Sequence, residues 1–355
     1  MDSLTQVVLG GAVGYGVLGN KVGRKAAIYG AILGTLPDLD VFLPYGGEVE
    51  AFTYHRGFSH SLFVHLLLSP FIVWLITTCH KSTAVFKKRW FWLVFLCLST
   101  HAILDSFTVY GTQLLWPLTE YPFAVSNLFI IDPIYTLPLL FAFIVVLLPN
   151  VQPKTASRIN SFAIAISCLY VCWSLAAKVY IDKKVATALN DRQIQGDHYL
   201  STPAPLSTIL WRILVMSEGK YYEGYVSVFD TASDVSLERY NSSDFLLADI
   251  KDEWGVQRLQ WFTKGFYSVK KDEQNIVLSD LRMGVECGYV FNFIVGEQTS
   301  NGVVKGNFEK LSDRPDLSQI GSIWDRIWDP SVSLAPNKQN GVCTPILIDA
   351  EILSP

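Results

Sequence analysis

The chain has 355 residues, of which 50% are hydrophobic and only 17% are charged, and its net charge is −4. Soluble domains carry roughly 25% charged residues, so this shortage of charge indicates a membrane protein. Because the net charge is negative and the sequence contains no nucleic-acid-binding motif, we expect no nucleic-acid partner.

Six hydrophobic runs predict about six membrane helices, because a span needs about 20 apolar residues. In chain order they cover residues 4–18, 26–43, 58–79, 90–108, 128–148 and 162–181. The first run is rich in glycine, which lets membrane helices approach closely. In the second run Pro37 precedes Asp38 and Asp40, and we expect the helix to break there. We therefore predict an α-helical polytopic membrane bundle for residues 1–182.

Basic residues in the connectors predict how the runs cross the membrane, because Lys and Arg favour the cytoplasmic side. The connectors after runs one, three and five are basic. Those after runs two and four are acidic or polar, and Arg56 is their one basic residue. This alternation predicts that the N-terminus and everything after run six lie outside.

The predicted topology brings six ionisable side chains to the outer membrane face. They are Asp38 and Asp40 at the end of run two, His55 and His60 at the start of run three, and His101 and Asp105 at the end of run four. Carboxylates within apolar runs are costly and are usually functional. His101 and Asp105 are four residues apart, so they lie on one face of a helix.

Histidine and carboxylate ligands together suit zinc, and also manganese or iron. We predict a divalent metal ion, with zinc as the first choice, bound by His55, His60, His101, Asp40 and Asp105. Water at an open coordination position would be the nucleophile. Asp38 or Asp105 would then act as general base or orient a ligating histidine. Ser59 is an alternative nucleophile, although no Gly-x-Ser-x-Gly motif is present. The side chains expected around the ion are Asp2, Thr5, Gln6 and Arg56.

Five short motifs follow one another in the first third of the chain. They are Met1-Asp2-Ser3-Leu4-Thr5, Leu36-Pro37-Asp38-Leu39-Asp40, His55-Arg56-Gly57-Phe58-Ser59-His60-Ser61, His101-Ala102-Ile103-Leu104-Asp105 and Tyr110-Gly111-Thr112-Gln113-Leu114-Leu115-Trp116-Pro117. In these motifs the chain resembles the YdjM-type bacterial inner-membrane proteins, a family described as metal-dependent hydrolases. The resemblance implies a multi-pass protein of the bacterial inner (cytoplasmic) membrane. Together with the topology predicted from the basic connectors, it places the part after run six in the periplasm.

One position departs from the family pattern. Gln6 stands where the family usually has histidine after the threonine of the first motif. A neutral amide offers a carbonyl oxygen and two N–H donors, and it is a poor zinc ligand. Either this position lies beside the ligands, as we predict, or this protein has lost a ligand and its activity.

The composition changes after about residue 183, where charges return and apolar residues alternate with polar ones. Residues 209–216, 220–228 and 289–295 predict strands, and residues 245–263 predict a helix. We expect residues 183–355 to form a soluble α+β domain outside the membrane. It would either cap the site or serve as a structural appendage.

Two classes of function remain open. The first is a membrane-bound metal-dependent hydrolase that acts at the outer face on a lipid-linked, phosphoester or amide substrate reached from the bilayer. The second is a non-catalytic polytopic protein, either a transporter or a partner-binding protein. A transporter should place ionisable groups through the membrane depth. Their clustering at one face favours the enzyme.

Overall fold

The computed structural model describes residues 1–194, 196–311, 320–335, 338–339 and 342–343. The chain divides into two compact units. The first is Met1–Ala186 with Ser201–Trp211, and the second is Thr187–Leu200 with Arg212–Pro355. The predicted division falls after residue 182, whereas the main segment of the first unit ends at Ala186.

The first unit is helical. Its helices are α1 (Ser3–Val22), α2 (Arg24–Thr35), α3 (Glu48–Tyr54), α4 (Leu62–Cys79), α5 (Lys87–Ser106), α6 (Pro133–Leu147) and α7 (Pro153–Asp191), whose last turns extend into the second unit. Three 3-10 segments lie between them, at Pro37–Phe42, Phe58–His60 and Lys81–Phe86. Helix α2 ends at Thr35 and a 3-10 turn begins at Pro37, which confirms the predicted break.

Two of the described helices, α4 and α7, are long and apolar enough to cross a membrane. Helix α6 is apolar but has 15 residues, and α2 has 12, which is short of the roughly 20 that a span requires. Helices α1 and α5 have 20 residues each, which is long enough to cross, but their polar residues make them less hydrophobic than a spanning helix requires. The prediction of about six spanning helices is therefore too high. Proline interrupts one run, and polar residues dilute others.

Glycines hold α1 and α2 close together, as their spacing predicts. A Cβ atom at Gly30 would lie 2.1 Å from the Gly10 carbonyl oxygen, and one at Gly34 would lie 2.4 Å from the Gln6 carbonyl oxygen. Neither position has room for a side chain. The close approach brings the start of α1 against the end of α2, where the candidate site begins.

Antiparallel sheets make up most of the second unit, although residues 201–203 of the first strand and 210–211 of the second belong to the first unit. One has four strands in the order β1 (His198–Pro203), β2 (Leu210–Ser217), β3 (Lys220–Ser227) and β4 (Ser236–Asn241). The other has the order β5 (Tyr267–Asp272), β6 (Asn275–Asp280), β7 (Asn292–Thr299) and β8 (Gly302–Lys305), and β9 (Lys310–Leu311) also pairs with β7. Short strands β10 (Lys338–Gln339) and β11 (Val342–Cys343) pair with each other.

Helices α8 (Trp254–Phe262) and α9 (Ile320–Trp328) complete the second unit. The strands predicted at 209–216 and 220–228 correspond to β2 and β3, whereas the one predicted at 289–295 begins later, at Asn292. The helix predicted over 245–263 is divided into a 3-10 segment, Asp244–Ile250, and α8. The interruption falls at a charged stretch, where Glu253 adopts an extended conformation before α8.

Candidate metal centre

Three elements of the first unit bring four side chains together: Asp38, His60, His101 and Asp105, called here the His/Asp cluster. Asp38 follows Pro37 in the first turn of a 3-10 segment, and His60 ends another. His101 and Asp105 occupy successive turns of α5. The side chains of His60, His101 and Asp105 are at most 1% exposed, whereas that of Asp38 is 25% exposed.

The local sequence fixes His60 at the start of α4. Arg56 adopts a left-handed conformation with φ of 61°, and this reverses the chain after α3. Ser61 then caps α4, because its hydroxyl accepts from the backbone N–H groups of Phe63 and Val64 at 3.2 and 3.3 Å. The imidazole of His60 is thereby held between a tight turn and a capped helix.

The facing atoms of the cluster all lie within 4.8 Å of one another, and five of their six separations are 3.1–3.6 Å. His60 Nε2 lies 3.1 Å from His101 Nε2. Asp38 Oδ1 lies 3.4 Å from His60 Nε2 and 3.3 Å from His101 Nε2. Asp105 Oδ2 lies 3.4 Å from His60 Nε2 and 3.6 Å from His101 Nε2.

These distances fit a bound zinc ion. Nitrogen and oxygen ligands lie about 2.0–2.2 Å from zinc, so in a regular tetrahedron they are about 3.3–3.6 Å from one another. Asp38 Oδ1 is buried and has no hydrogen-bond partner in the described part of the chain, and Asp105 Oδ2 is buried with Arg56 Nε 3.1 Å away. A cation at the common centre would satisfy both oxygens. The donor set, two imidazoles and two carboxylates, also suits manganese or iron.

Hydrogen bonds on the far side of each imidazole leave Nε2 free of its proton. His101 Nδ1 donates to the Gly34 carbonyl oxygen at 2.6 Å. Ser59 Oγ donates its only proton to Asp40 Oδ2 at 2.6 Å, so it accepts from His60 Nδ1 at 2.9 Å. Because a neutral imidazole carries one N–H, both Nε2 atoms present a lone pair to the centre.

Three groups orient the Asp105 carboxylate. Gln6 Nε2 donates to Oδ1 at 2.9 Å, and the amino group of Met1 contacts the same oxygen. Arg56 Nε lies 3.1 Å from Oδ2, and its Nη1 donates to Thr108 Oγ1 at 3.3 Å. Gln6 therefore lies beside the cluster and contacts the Asp105 oxygen that faces away from the other ligands.

The remaining predicted residues lie around the cluster. His55 Nδ1 lies 2.8 Å from Asp40 Oδ1, and the Arg56 backbone N–H donates to Asp40 Oδ2 at 3.0 Å. Asp40 and His55 thus bind each other and are not among the four converging groups, whereas Asp38, expected as a base, is among them. Asp2 caps α1, and Thr5 contacts Asp2 and Thr136.

Three contributors were not predicted from the sequence, and one of them is the Met1 amino group at Asp105. The carbonyl oxygen of Gly34 orients His101, and Thr108 holds the Arg56 guanidinium. A backbone carbonyl has no signature in the sequence. Thr108 lies three residues after Asp105, and its hydroxyl donates to the Asp105 carbonyl oxygen at 2.7 Å, which places it on the same helix end. Its proximity to the Asp105 motif was the one available signal.

The fold and the cluster define a membrane-associated helical protein with a His/Asp site able to hold a metal ion. The chain belongs to the YdjM inner membrane protein family, whose family model matches residues 1–181 and so includes the whole cluster. It is also similar to "Uncharacterized protein YfhP" of Bacillus subtilis (strain 168). The two are 27% identical over 309 residues, which cover 83% of this chain and 90% of that protein. No solved structure matches the chain.

Proposed function

We propose that this protein is a membrane-bound metal-dependent hydrolase. The proposal rests on two imidazole nitrogens and two carboxylate oxygens that lie within 4.8 Å of one another, with five of their six separations at 3.1–3.6 Å. We assign a divalent ion, with zinc as the first choice, to His60, His101, Asp105 and Asp38. This assignment replaces His55 and Asp40 of the sequence-based set with Asp38.

Within this proposal Asp38 has a second role. A bound ion would supply a Lewis acid and activate water for attack on an ester, phosphoester or amide bond. Asp38 is the one member of the cluster with a partly exposed side chain, so its carboxylate can turn toward an entering molecule and accept a proton from water. We assign Ser59 to orienting His60 rather than to attack, because its hydroxyl is already engaged by Asp40 and His60.

A lipid-linked substrate reached from the bilayer fits the surroundings of Asp38. Leu39, Val41 and Phe42 follow it in the same 3-10 segment and are 51%, 63% and 80% exposed. Such exposed apolar side chains beside a buried polar cluster favour contact with lipid. The carboxylates of the His/Asp cluster would then lie near the headgroup of the lipid-linked substrate, and the exposed apolar side chains would contact its hydrocarbon chains.

We further propose that the cluster lies at the outer face of the inner membrane and that the second unit is periplasmic. The basic connectors after the third and fifth runs support this topology, because they lie at the ends of α4 and α7, the two described helices long and apolar enough to cross. Cys287 of the second unit is disulfide-bonded, which suits an oxidising compartment. A reporter tag inserted after Arg89, beyond α4, should report cytoplasm, and a tag at the C-terminus, beyond α7, should report periplasm. A cytoplasmic C-terminus would overturn the topology.

A second candidate function is a non-catalytic membrane protein, such as a transporter or partner-binding protein, with a structural ion. Four protein ligands complete a tetrahedral zinc site, and closed sites of this kind are usually structural, whereas catalytic ones keep a position open. The two candidates differ in what Asp38 does. In a structural site Asp38 must stay bound to the metal ion. In an enzyme it must leave its coordination position so that water can occupy it.

Metal analysis of the purified full-length protein tests the site. The wild type should contain about one ion per chain, and His60→Ala and His101→Ala should lose it. His80→Ala is the matched control, because His80 follows α4 at its far end and contacts Tyr29 instead. Wild type without a metal ion, or equal loss in the control, would refute the site.

Asp38→Asn separates the two functions. For a hydrolase, the variant should retain most of the metal but lose turnover of lipid esters or phosphoesters. For a structural site, the wild type should turn over none of these compounds, and the variant should lose metal and thermal stability together.

A further inference from the structure

An apolar groove runs between α6 and α7 of the first unit, away from the His/Asp cluster. Pro138 and Phe141 of α6 form one wall, and Ile159, Phe162 and Ile166 of α7 form the other. Its volume of about 530 Å³ is within the range of small-molecule sites in proteins. Phe141 and Phe162 are 61% and 69% exposed, so the groove opens to the surroundings of the helices.

Hydrogen bonds close the groove at one end. Ser167 Oγ donates to the Tyr135 carbonyl oxygen at 2.9 Å, and Tyr170 donates to Asp132 Oδ2 at 2.9 Å. These contacts tie α7 to the start of α6. The groove therefore begins beyond Ser167 and extends toward the connection between the two helices.

The other end of the groove is basic. Arg158 is the only charged residue among the described residues that line it, and Lys154 lies one helical turn away on α7. Both are exposed, and neither forms an ion pair with another described residue. Like charges four residues apart on a helix repel each other, so an anion between them would be favourable.

We propose that this groove binds one anionic phospholipid, with its phosphate at Arg158 and Lys154 and an acyl chain along α6 and α7. From Arg158 to Ile166 the helix rises about 12 Å, which suits the extended upper part of an acyl chain. The apolar walls favour a lipid over a water-soluble anion, because only a lipid also places an apolar chain against them, and the basic end favours an anionic lipid over a zwitterionic one. The membership of an inner-membrane family places such lipids around the helices. This inference is independent of the proposed hydrolase activity.

Native mass spectrometry of the full chain tests the proposal. Delipidated protein in mild detergent is titrated with dioleoyl phosphatidylglycerol or dioleoyl phosphatidylcholine. One phosphatidylglycerol should bind about 30-fold more tightly than phosphatidylcholine, as expected from charge contacts to both Arg158 and Lys154. Arg158→Gln should reduce this preference to about fivefold, and Arg158→Gln combined with Lys154→Gln should abolish it. Lys88→Gln removes an equally exposed charge at the start of α5 and should leave the preference intact.

The apolar walls have their own test. Phe141→Ser should weaken the binding of both lipids without changing their ratio, because it alters the wall and not the basic end. Equal binding of the two lipids to the wild type would overturn the proposal. So would an equal effect of Lys88→Gln and Arg158→Gln, because the attraction would then be non-specific. A dimer that excludes lipid and is lost in Phe141→Ser would assign the groove to a second copy of the chain and also overturn it.

Discussion

Replacing Ser59 with alanine should weaken metal binding although Ser59 is not a ligand. The Ser59 hydroxyl links Asp40 to His60 through two hydrogen bonds. It donates to Asp40 Oδ2 at 2.6 Å and accepts from His60 Nδ1 at 2.9 Å, so the carboxylate fixes the hydroxyl as an acceptor for the imidazole N–H. Without it the imidazole loses the acceptor that holds its proton on Nδ1. The proton can then occupy Nε2, the atom that must face the ion. Losses of such orienting contacts weaken metal affinity by roughly 10–100-fold, or about 1.4–2.8 kcal/mol.

Competition with a chromophoric zinc chelator measures this loss on the purified full-length protein in detergent. Ser59→Thr keeps a hydroxyl at the same position and should recover most of the affinity. Cobalt substitution adds a spectroscopic readout. Ser59→Ala should give the absorption spectrum of the wild type once saturated, because the four ligands remain, whereas His60→Ala should change the band shape.

Two outcomes would contradict the tautomer argument. One is wild-type affinity in Ser59→Ala, which would mean that Asp40 does not act on His60 through the hydroxyl. The other is a Ser59→Thr protein as weak as Ser59→Ala, which would mean that the local turn, and not the hydrogen bond, determines affinity. A changed cobalt spectrum in Ser59→Ala would show that the ligand set itself had changed.

Three further predictions concern separate features of the chain. Gln6→Ala should weaken metal binding less than His60→Ala does, and Gln6→His should keep or strengthen it; equal loss in the two alanine variants would make Gln6 a ligand. Gly30→Ala should lower the free energy of unfolding by about 1–3 kcal/mol through overpacking against α1, measured by thermal or denaturant unfolding, and an unchanged value would refute the close packing. Burial and the nearby Arg282 guanidinium lower the pKa of Lys264 from 10.5 to about 8. The unfolded chain then binds more protons than the folded one between about pH 8 and pH 10.5, so stability should rise over that range, and Lys264→Met should flatten the rise in melting temperature.

The sequence indicated the region of the site better than the part played by each residue. The pair His101 and Asp105 was predictable, because a four-residue spacing on a helix places two side chains on one face. The choice between Asp38 and Asp40 was not. In a 3-10 helix successive residues are about 120° apart, so residues two apart point in different directions. Asp38 consequently faces the imidazoles, and Asp40 faces Ser59 and His55.

Backbone conformation also explains why His55 is not among the converging ligands. The left-handed Arg56 redirects the chain between the two histidines, and their ring centroids are 6.2 Å apart. A positive φ at arginine is uncommon and has no signature in the sequence. The lengths of the helices could not be predicted for a similar reason, because hydropathy alone does not show where proline or polar residues end an apolar helix.

The four side chains of the His/Asp cluster are held to very different degrees, and this bears on the proposed catalytic role of the site. His101 and Asp105 are buried on α5, and His60 is fixed by a capped helix and by Ser59. Asp38 lies on a short 3-10 segment, is partly exposed, and its Oδ1 has no hydrogen-bond partner in the described part of the chain. Movement of that segment alone would open one coordination position and leave three ligands in place. A purely structural site gains nothing from one weakly held ligand at the solvent side, whereas a hydrolase requires such a position, so the asymmetry favours catalysis.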